Sequence, residues 1–386
     1  MNPLVVYKMT ESKIEMIDMI QDFQTLSYTL CFDDFGNFTL TLPFSQKEFK
    51  LLLPENNLEK IVLLENDIFG ICHKVDATSG KDSKIITVTG NLIEGLMMNS
   101  AIPKLLNLNK NMELQEYAYM NISGGQSTDK YAELTRWNGL NFEKNDSLKQ
   151  FILPAGYNFE GGTLADFISQ TAVYTDKGFT VYKKSDDTFG FKYIDYTDRT
   201  VNQTDNSPVL ISTKFDNLSE GQFSINTQEY KNVVIASYDY DNDNFGKGRA
   251  MVLVTYDKYG DDITKIPSNE IRAAFESELD VDQTEAETLD EFESLLKQAA
   301  RQKLYEYNLV KSYECMQVDQ VGTFLLNRDY FLGDKVTVYD DYLDLSIDVQ
   351  IKSITTNISN AGREKELSFG YSQPTLNQIL RKKGVI

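Results

Sequence analysis

Histidine, cysteine and clustered acids are the residues from which catalytic and metal sites are usually built, and this sequence holds few of the first two. It has one histidine, His73, and three cysteines, Cys31, Cys72 and Cys315. A serine or cysteine nucleophile needs a base that titrates near neutrality, so any such relay would have to use His73. Because His73 lies in the strand-like run IFGICHKVDA, we interpret it as a structural or surface histidine and predict no catalytic residue.

Metal and cofactor sites are equally poorly supported. Zinc needs three or four ligands, and the four His and Cys candidates are scattered along the chain. Acids alternate from Asp239 to Asn244 as in the first half of a calcium loop, but position six is Asn244 and position twelve is Ala250. We predict a polar hairpin there, a turn at the GKGR run 246–249, no metal and no cofactor. With 58 Asp and Glu residues, the sequence leaves a carboxylate pair for glycoside hydrolysis open.

Composition and charge limit the class of protein. The chain has 386 residues, of which 41% are apolar and 25% charged, as expected for a globular protein of two to four domains. Its formal net charge of -20 leaves no basic surface for stable binding of DNA or anionic lipid. Three scattered cysteines favour reduced thiols. We see no signal peptide and no membrane segment, and expect assembly in a cytoplasm.

The first hundred residues have the spacing of a strand meander. Apolar or aromatic runs broken by turn residues predict strands at 3–9, 14–20, 25–31, 37–42, 59–65, 68–77 and 84–90. Ser45 and Glu48 form a capping-box pattern that predicts a helix as far as Leu53, and a second short helix should begin at Asn91. Six or seven strands with this spacing favour a small antiparallel barrel.

The next hundred residues mix helices with strands. We predict a helix near 111–120 and another after Thr163, ended by Gly178, whose buried face carries Leu164, Phe167, Ile168 and Val173. A hairpin of strands 179–184 and 189–195 should turn at Asp186 and Asp187.

A second strand-rich tract is interrupted by a long helical segment. Strands are predicted at 208–212, 221–228, 231–239, 249–257, 311–319, 335–339, 344–358 and 364–371. The helix at 284–308 has an apolar stripe through Leu289, Phe292, Leu296 and Ala299. That stripe could dock on the helix's own domain or on a partner. A basic amphipathic helix is expected at 375–383, and the fold class is mainly β with α+β subdomains.

Several segments, in order, resemble the siphophage tail-tip hub or tail-associated protein family, which is related to the myophage baseplate hub. They are FGNFTLTLP at 35–43, KIITVTGNLIEGLMM at 84–98, GGTLADFISQ at 161–170, DYTDRT at 195–200, the stretch 207–237, DYFLGDKVTVYD at 329–340 and ELSFGYSQPTLNQILRK at 366–382. Each segment alone is a weak signal, whereas their common order across most of the chain is specific.

The resemblance implies two small antiparallel barrels, the second interrupted by an insertion, in a trimeric ring with pseudo-sixfold symmetry. The corresponding divisions are 1–100 for barrel one, 101–205 for an α/β subdomain, 206–240 with 310–372 for barrel two, 241–309 for the inserted subdomain and 373–386 for a C-terminal helix. Turns at Gly36, Gly90, Gly333 and Gly370 are expected to use the positive φ that glycine tolerates.

The implied function is structural: a virion tail-tip hub, assembled in the bacterial host cytoplasm, through which DNA passes during ejection. The implied partners are two further copies, a distal tail or tail tube protein, a tape measure protein and receptor-binding or tail fibre proteins, with no stable membrane association. Longer relatives carry a C-terminal peptidase or fibre, whereas this sequence stops shortly after FGYSQPTL. We therefore expect a hub without its own hydrolase, unless the sequence is a truncation.

The acidic composition has two interpretations. Part of the acid excess could line the channel and keep DNA from adhering, or a generally acidic surface could serve solubility. A rival function is a cell-surface carbohydrate-binding module or cell-wall hydrolase, in which exposed tyrosines such as Tyr238, Tyr240, Tyr339 and Tyr342 stack on sugars.

Overall fold

The computed structural model describes most of the chain. The described residues are 3–55, 58–79, 84–102, 112–122, 136–148, 151–153, 157, 159, 161–215, 217–256, 259–279, 281–307, 310–317 and 324–370. The helix predicted at 375–383 and the division 373–386 lie outside these residues.

Strands dominate the structure, which confirms the mainly β class. In chain order they are β1 Leu4–Met9, β2 Ile14–Ile20, β3 Thr25–Cys31, β4 Asn37–Pro43, β5 Lys60–Glu65, β6 Ile68–Ile71, β7 Lys74–Ser79, β8 Lys84–Asn91, β9 Ala101–Ile102, β10 Met112–Glu113, β11 Leu140–Phe142, β12 Ile152–Leu153, β13 Gly162–Thr163, β14 Gly178–Lys183, β15 Phe189–Ile194, β16 Leu210–Ser212, β17 Ser219–Asn226, β18 Val233–Asn242, β19 Gly246–Thr255, β20 Ala273–Ser277, β21 Val310–Gln317, β22 Lys335–Asp340, β23 Leu345–Ser359 and β24 Gly362–Gly370.

The helices are fewer and mostly short. Within the described residues the α-helices are α1 Gln46–Leu52, α2 Leu114–Ile122, α3 Leu164–Thr175 and α4 Leu289–Glu306, and the 3₁₀ helices are Ile93–Asn99, Thr213–Phe215, Ile263–Lys265, Ser268–Glu270 and Gln283–Glu285. None of the helices in the described ranges is both long and apolar enough to cross a membrane.

The strands form one large sheet and several smaller ones. A ten-stranded sheet has the main order β17-β21-β24-β23-β3-β4-β8-β7, with β16 and β22 attached beside β23. A four-stranded sheet has the order β2-β1-β5-β6, and two three-stranded sheets have the orders β11-β15-β14 and β19-β18-β20. Two short pairs, β10 with β12 and β9 with β13, complete the set.

The two closed barrels expected from the sequence are not present in the described part of the chain. The reason is the pairing of β3, which bonds β4 on one side and β23 on the other. A strand of the first half is thereby hydrogen bonded to a strand of the second half, and the two halves share one open sheet. Similarly, β18 pairs with β19 and β20 and not with the ten-stranded sheet.

The single strand predicted at 68–77 is two strands in different sheets. Cys72 donates its backbone N–H to Lys60 O and His73 donates to Thr89 O, so the chain crosses from the four-stranded to the ten-stranded sheet at this dipeptide. Gly90 permits the crossing, because a Cβ there would lie 1.7 Å from Ile71 O. Gly90 and Gly36 do not have the positive φ we expected, whereas Gly333 and Gly370 do, at 92° and 71°.

Two helix ends differ from the sequence prediction. Helix α3 begins at its Thr163 capping box as predicted but ends at Asp176, whose φ of 54° is left-handed, and Gly178 starts the next strand. Val173 is exposed, because it lies five residues after Ile168 and therefore off the buried face. Helix α4 begins after Thr288, which forms a capping box with Glu291, and not at residue 284.

Four hydrophobic clusters fill the part of the molecule that the structure describes. One lies between the four-stranded sheet and the sheet face formed by β3, β4 and β8. The second joins the other side of that four-stranded sheet to α2, α3 and the strands up to β15. The third lies under β21–β24, and the fourth packs α4 on β18 and β19 through Phe292, Leu296 and Ala299. The apolar stripe of α4 is therefore covered by its own sheet.

Candidate functional site

His73 and the cysteines do not form a reactive site among the described residues. His73 Nδ1 lies 3.7 Å from the Glu59 carboxylate. The three cysteines are free thiols. Burial raises the pKa of Cys72 and of Cys315 to about 12 and raises that of Cys31 as well, so all three remain protonated at neutral pH. A protonated, buried thiol is a poor nucleophile.

The acidic run at 239–244 forms the β18–β19 hairpin predicted from the sequence, and two of its three acids pair with bases across the strands. Asp239 Oδ2 accepts from Arg249 at 2.8 Å, and Asp241 Oδ2 lies 2.8 Å from Lys247 Nζ. The GKGR run 246–249, predicted as a turn, is instead the start of β19. In the ranges that the structure describes, no group of three or more His, Cys, Asp or Glu side chains is placed to hold a metal ion.

The tyrosines of the carbohydrate hypothesis serve mainly as packing groups. Tyr238 and Tyr240 both contact the ring of Phe292 in the core beneath α4, at centroid distances of 5.3 and 5.8 Å. Tyr339 lies under Lys214 and donates to Asp341. Tyr342 is the one of the four that faces solvent, at 91% exposure. A single exposed ring gives no stacking platform.

A charged contact joins the two halves of the large sheet. Beyond the end of β3, the Asp33 carboxylate accepts from Lys352 Nζ at 2.6 Å, and both side chains are about nine-tenths buried. Phe32 next to it donates its backbone N–H to Lys352 O, and its ring packs against Gly178 and Gly333. Hydrogen bonds, an ion pair and close packing therefore fix the orientation of the two halves of the large sheet relative to each other.

One face of the ten-stranded sheet covers the hydrophobic clusters and the opposite face is polar. The cross-strand register places hydroxyl and amide side chains together on that second face, which we call the hydroxyl face. Its members are Thr25, Ser27 and Thr29 on β3, Asn37, Thr39 and Thr41 on β4, Thr87, Thr89 and Asn91 on β8, Ser353, Thr355, Asn357 and Ser359 on β23, and Gln222, Ser224 and Asn226 on β17. Ser312 on β21 and Ser368 on β24 are on the same side by register, but Ser312 and the Ser368 Oγ are buried.

Charges on the hydroxyl face are few and predominantly negative. The acids in register with it are Asp76, Glu314, Glu364 and Glu366. Lys74 is the sole base among the face's described positions, and its ammonium lies 2.6 Å from the Asp76 carboxylate. The face is continuous across both halves of the chain because β3 and β23 pair in register, and Thr29 hydrogen bonds Thr355 across the junction at 2.9 Å.

The large sheet ends in two strands, β17 and β7, that each have a strand partner on one side only among the described strands. Unpaired strand edges are templates for association and are normally covered. At about 4.8 Å per strand, the two edges lie roughly 34 Å apart along the sheet. The chain thus offers two distant strand edges that flank one polar face.

The hydroxyl face was missed by the sequence prediction, although its signal is visible. Segments such as FTLTLP and SITTNIS alternate hydroxyl with apolar residues, which marks one polar and one buried side of a strand. What the sequence did not show is that β3 and β23 are neighbours, and hence that the polar sides of both halves form one surface.

Comparison with protein families identifies the chain. The model for Siphovirus ReqiPepy6 Gp37-like proteins matches residues 131–371. The chain belongs to this siphovirus tail protein family. The Gp37-like match includes the second half of the hydroxyl face, its β17 edge and the inserted three-stranded sheet. A search of curated proteins by sequence gives no match.

Two solved structures share the fold of this Gp37-like protein. A tail protein from Neisseria meningitidis MC58 has 11% sequence identity and a TM-score of 0.52, and the match covers 96% of each chain. The 43 kDa tail protein of prophage MuSo2 from Shewanella oneidensis has 13% identity and a TM-score of 0.53, and covers 95% of this chain and 98% of that one. The chain is a phage-type tail structural protein, a component of the virion tail.

Proposed function

We propose that this tail protein is the hub of the tail tip, in which three copies close into a ring whose bore carries DNA during ejection. The observation that carries the proposal is the hydroxyl face. It extends across both halves of the chain, holds four acids against one paired lysine among its described positions, and lies between two strand edges.

The chemistry of this face suits the passage of DNA. Phosphates bind to lysine and arginine and release counterions, so a basic wall would retain the duplex. Hydroxyl and amide groups form hydrogen bonds with water without attracting phosphate strongly. The small excess of acids over bases on the face repels phosphate. The composition of the hydroxyl face favours a bore that is lined mainly by hydroxyl groups and only a few acids. Most of the 58 acids of the chain then lie elsewhere and serve solubility.

Ring closure gives a role to the two edges. A cyclic trimer uses two different surfaces of each copy, one donating and one receiving. In the proposed ring, β17 of one copy lies beside β7 of the next, so that the hydroxyl faces join around the bore. In this proposal residues 1–100 and 206–232 with 310–372 supply the two halves. Residues 101–205 form one smaller subdomain outside, and the second begins at β18, before the expected boundary of 241, because β18 pairs with β19 and β20. The ends of the ring would bind a distal tail or tail tube protein, the tape measure protein and receptor-binding proteins.

The first test is the assembly state of the intact chain. Mass photometry and negative-stain electron microscopy should show three-lobed rings with a central hole, alone at high concentration or after addition of the distal tail protein of the same phage. Particles that stay single under both conditions would contradict the ring.

A second test addresses the bore. The double variant Asn37→Lys/Thr39→Lys places two cations at exposed positions of the hydroxyl face. Its matched control, Thr204→Lys/Thr264→Lys, places the same charges on exposed positions outside the large sheet, Thr204 in a loop and Thr264 in a 3₁₀ helix. We expect the face variant to form rings that bind a duplex oligonucleotide by fluorescence anisotropy at low salt and to lower the infectivity of complemented phage. Equal behaviour of the two variants would show that the face does not line the DNA path.

A further inference from the structure

The three-stranded sheet β19-β18-β20 and helix α4 form a unit with a core of its own, which we call the insertion (residues 233–306). None of its described strands pairs with the ten-stranded sheet. Its hydrophobic cluster, which includes Val234, Val252 and Phe292, shares no described residue with the other three clusters. A unit with its own sheet and its own core can keep its internal structure while its orientation changes.

Two neighbouring chain segments connect the insertion to the ten-stranded sheet. The first follows β17, which ends at Asn226, and the second leads into β21, which begins at Val310. Asn226 and Val310 are cross-strand partners. Beyond them, Lys231 donates its backbone N–H to Tyr307 O at 3.0 Å. The insertion is therefore attached through two adjacent segments, which is the geometry of a hinge.

A side-chain contact between α3 and α4 fixes the direction in which the insertion points. Gln298 of α4 donates from Nε2 to the Tyr174 hydroxyl of α3 at 2.7 Å, and the rings of Tyr174 and Tyr305 meet edge to face at a centroid distance of 5.3 Å. The Tyr174 ring also packs on the buried ring of Tyr157, at 5.2 Å. At about 1.5 Å per residue, Gln298 lies roughly 13 Å along the helix from Tyr307 and the connecting segments. We call Tyr174, Gln298 and Tyr305 the α3–α4 contact.

The α3–α4 contact is polar and partly open to solvent. Tyr305 is 51% exposed, and Tyr174 and Gln298 are both half-buried. One neutral hydrogen bond and one aromatic pair together favour the closed arrangement by roughly tenfold to a hundredfold. Contacts of this kind between two units with separate cores normally allow relative motion.

We propose that the α3–α4 contact is a latch that holds the insertion in one of two orientations, and that its release lets the insertion turn about the two connecting segments. On release, the insertion keeps its sheet and its core. The Tyr174 hydroxyl and the Gln298 amide then form hydrogen bonds with water, so that separation leaves neither group buried and unpaired. A latch of this kind is reversible. The proposal concerns the single chain and does not depend on ring formation.

The test measures the orientation of the insertion with two spin labels on the full-length chain. Ser268→Cys labels the insertion, and Thr204→Cys labels the loop beside β22, both at exposed positions. The chain without these two cysteines gives the labelling background of the native thiols. Double electron–electron resonance then gives the distribution of distances between the two labels.

Two double variants are compared in this labelled chain. The latch variant is Gln298→Ala/Tyr305→Ala. Its control is Met251→Ala/Phe275→Ala, which removes exposed side chains from the face of the same sheet opposite α4. Circular dichroism checks that each variant folds. We expect wild type and the control to give one narrow distance, and the latch variant to give a second population at least about tenfold larger than in wild type.

A conservative variant tests the hydrogen bond alone. Tyr174→Phe keeps the ring pair with Tyr305 and removes only the hydroxyl that accepts from Gln298, so it should raise the second population by a smaller factor, about fivefold. Distances in the latch variant that match those of wild type would overturn the proposal. Distances in wild type that are already as broad as those of the latch variant would overturn it as well, because the contact would then hold nothing in place.

Discussion

Arg199 Nε donates to Asp334 Oδ2 at 2.8 Å, and this ion pair joins segments that are 135 residues apart in the chain. Asp334 also accepts the backbone N–H groups of Thr197 and Phe331, each at 3.0 Å. The segments DYTDRT at 195–200 and LGDK at 332–335, which are far apart in the sequence, therefore form one contact at the start of β22.

Asp334 should matter more for stability than Arg199. Replacing Asp334 with alanine leaves two backbone donors and a mostly buried guanidinium without their acceptor, and we expect a loss of about 3 kcal/mol or more of unfolding free energy. Arg199→Ala leaves the carboxylate its two backbone bonds and should cost less, on the order of 2 kcal/mol. Urea unfolding of both variants measures the difference, and equal losses would contradict the assignment.

The ion pair between Asp33 and Lys352 should be sensitive to removal of either partner. Lys352→Met leaves a buried carboxylate uncompensated, and we expect a loss of about 3–5 kcal/mol. The exposed pair of Lys47 and Asp18 provides the control, since Lys47→Met should cost less than about 1 kcal/mol. In the double variant Asp33→Asn/Lys352→Met part of the loss should be recovered, and simple additivity in urea unfolding would argue against a coupled pair.

Gly90 should tolerate no side chain. In Gly90→Ala the new Cβ would overlap Ile71 O, so the crossing at Cys72 and His73 must distort, and we expect a loss of more than about 3 kcal/mol. Gly246→Ala is the control. Gly246 has a positive φ of 88° but nothing within 4 Å of its added Cβ. We therefore expect Gly246→Ala to lower the unfolding free energy by only about 1 kcal/mol. Thermal unfolding monitored by circular dichroism distinguishes the two.

Glu94 should make the protein less stable as pH rises. Burial raises the pKa of this carboxyl to about 7, from 4.5. The folded state therefore holds a proton that the unfolded state releases, and stability falls as pH rises from about 4.5 to 7. Because the residue is only partly shielded from solvent, we expect Glu94→Gln to gain about 1–2 kcal/mol at pH 8 and little at pH 4. Urea midpoints at both pH values test this, and a gain that does not change with pH would contradict it.

Local patterns predicted most individual elements. The apolar or aromatic runs at 14–20 and 25–31 predicted strands with the observed bounds, and the capping residues Ser45 and Thr163 marked the starts of α1 and α3. The β18–β19 hairpin at the acidic run was also predicted. These features depend on neighbours within a few residues, which the sequence displays directly.

The failures that changed the architecture involve long-range pairing. The junction at Cys72 and His73 lies inside an unbroken apolar run, and only the positions of Lys60 and Thr89 show that the chain changes sheets there. The pairing of β3 with β23 replaced the expected barrel closure. Strand β20 was missed, because its parallel partner β18 lies some forty residues earlier and no local alternation marks it. The hydroxyl face depends on the same long-range contact, so the local alternation in β3 and β23 did not show that their polar sides form one surface.

The pairing of β3 with β23 also affects how the protein is made. Thr29 meets Thr355 across 326 residues of chain, so during synthesis β3 is complete long before its partner leaves the ribosome. The edge of β3 remains open over most of translation, and the sheet of the first half stays exposed to other nascent chains. Contacts of such sequence separation form slowly. Strand β23, which is synthesised after the whole first half, therefore protects that half from aggregation.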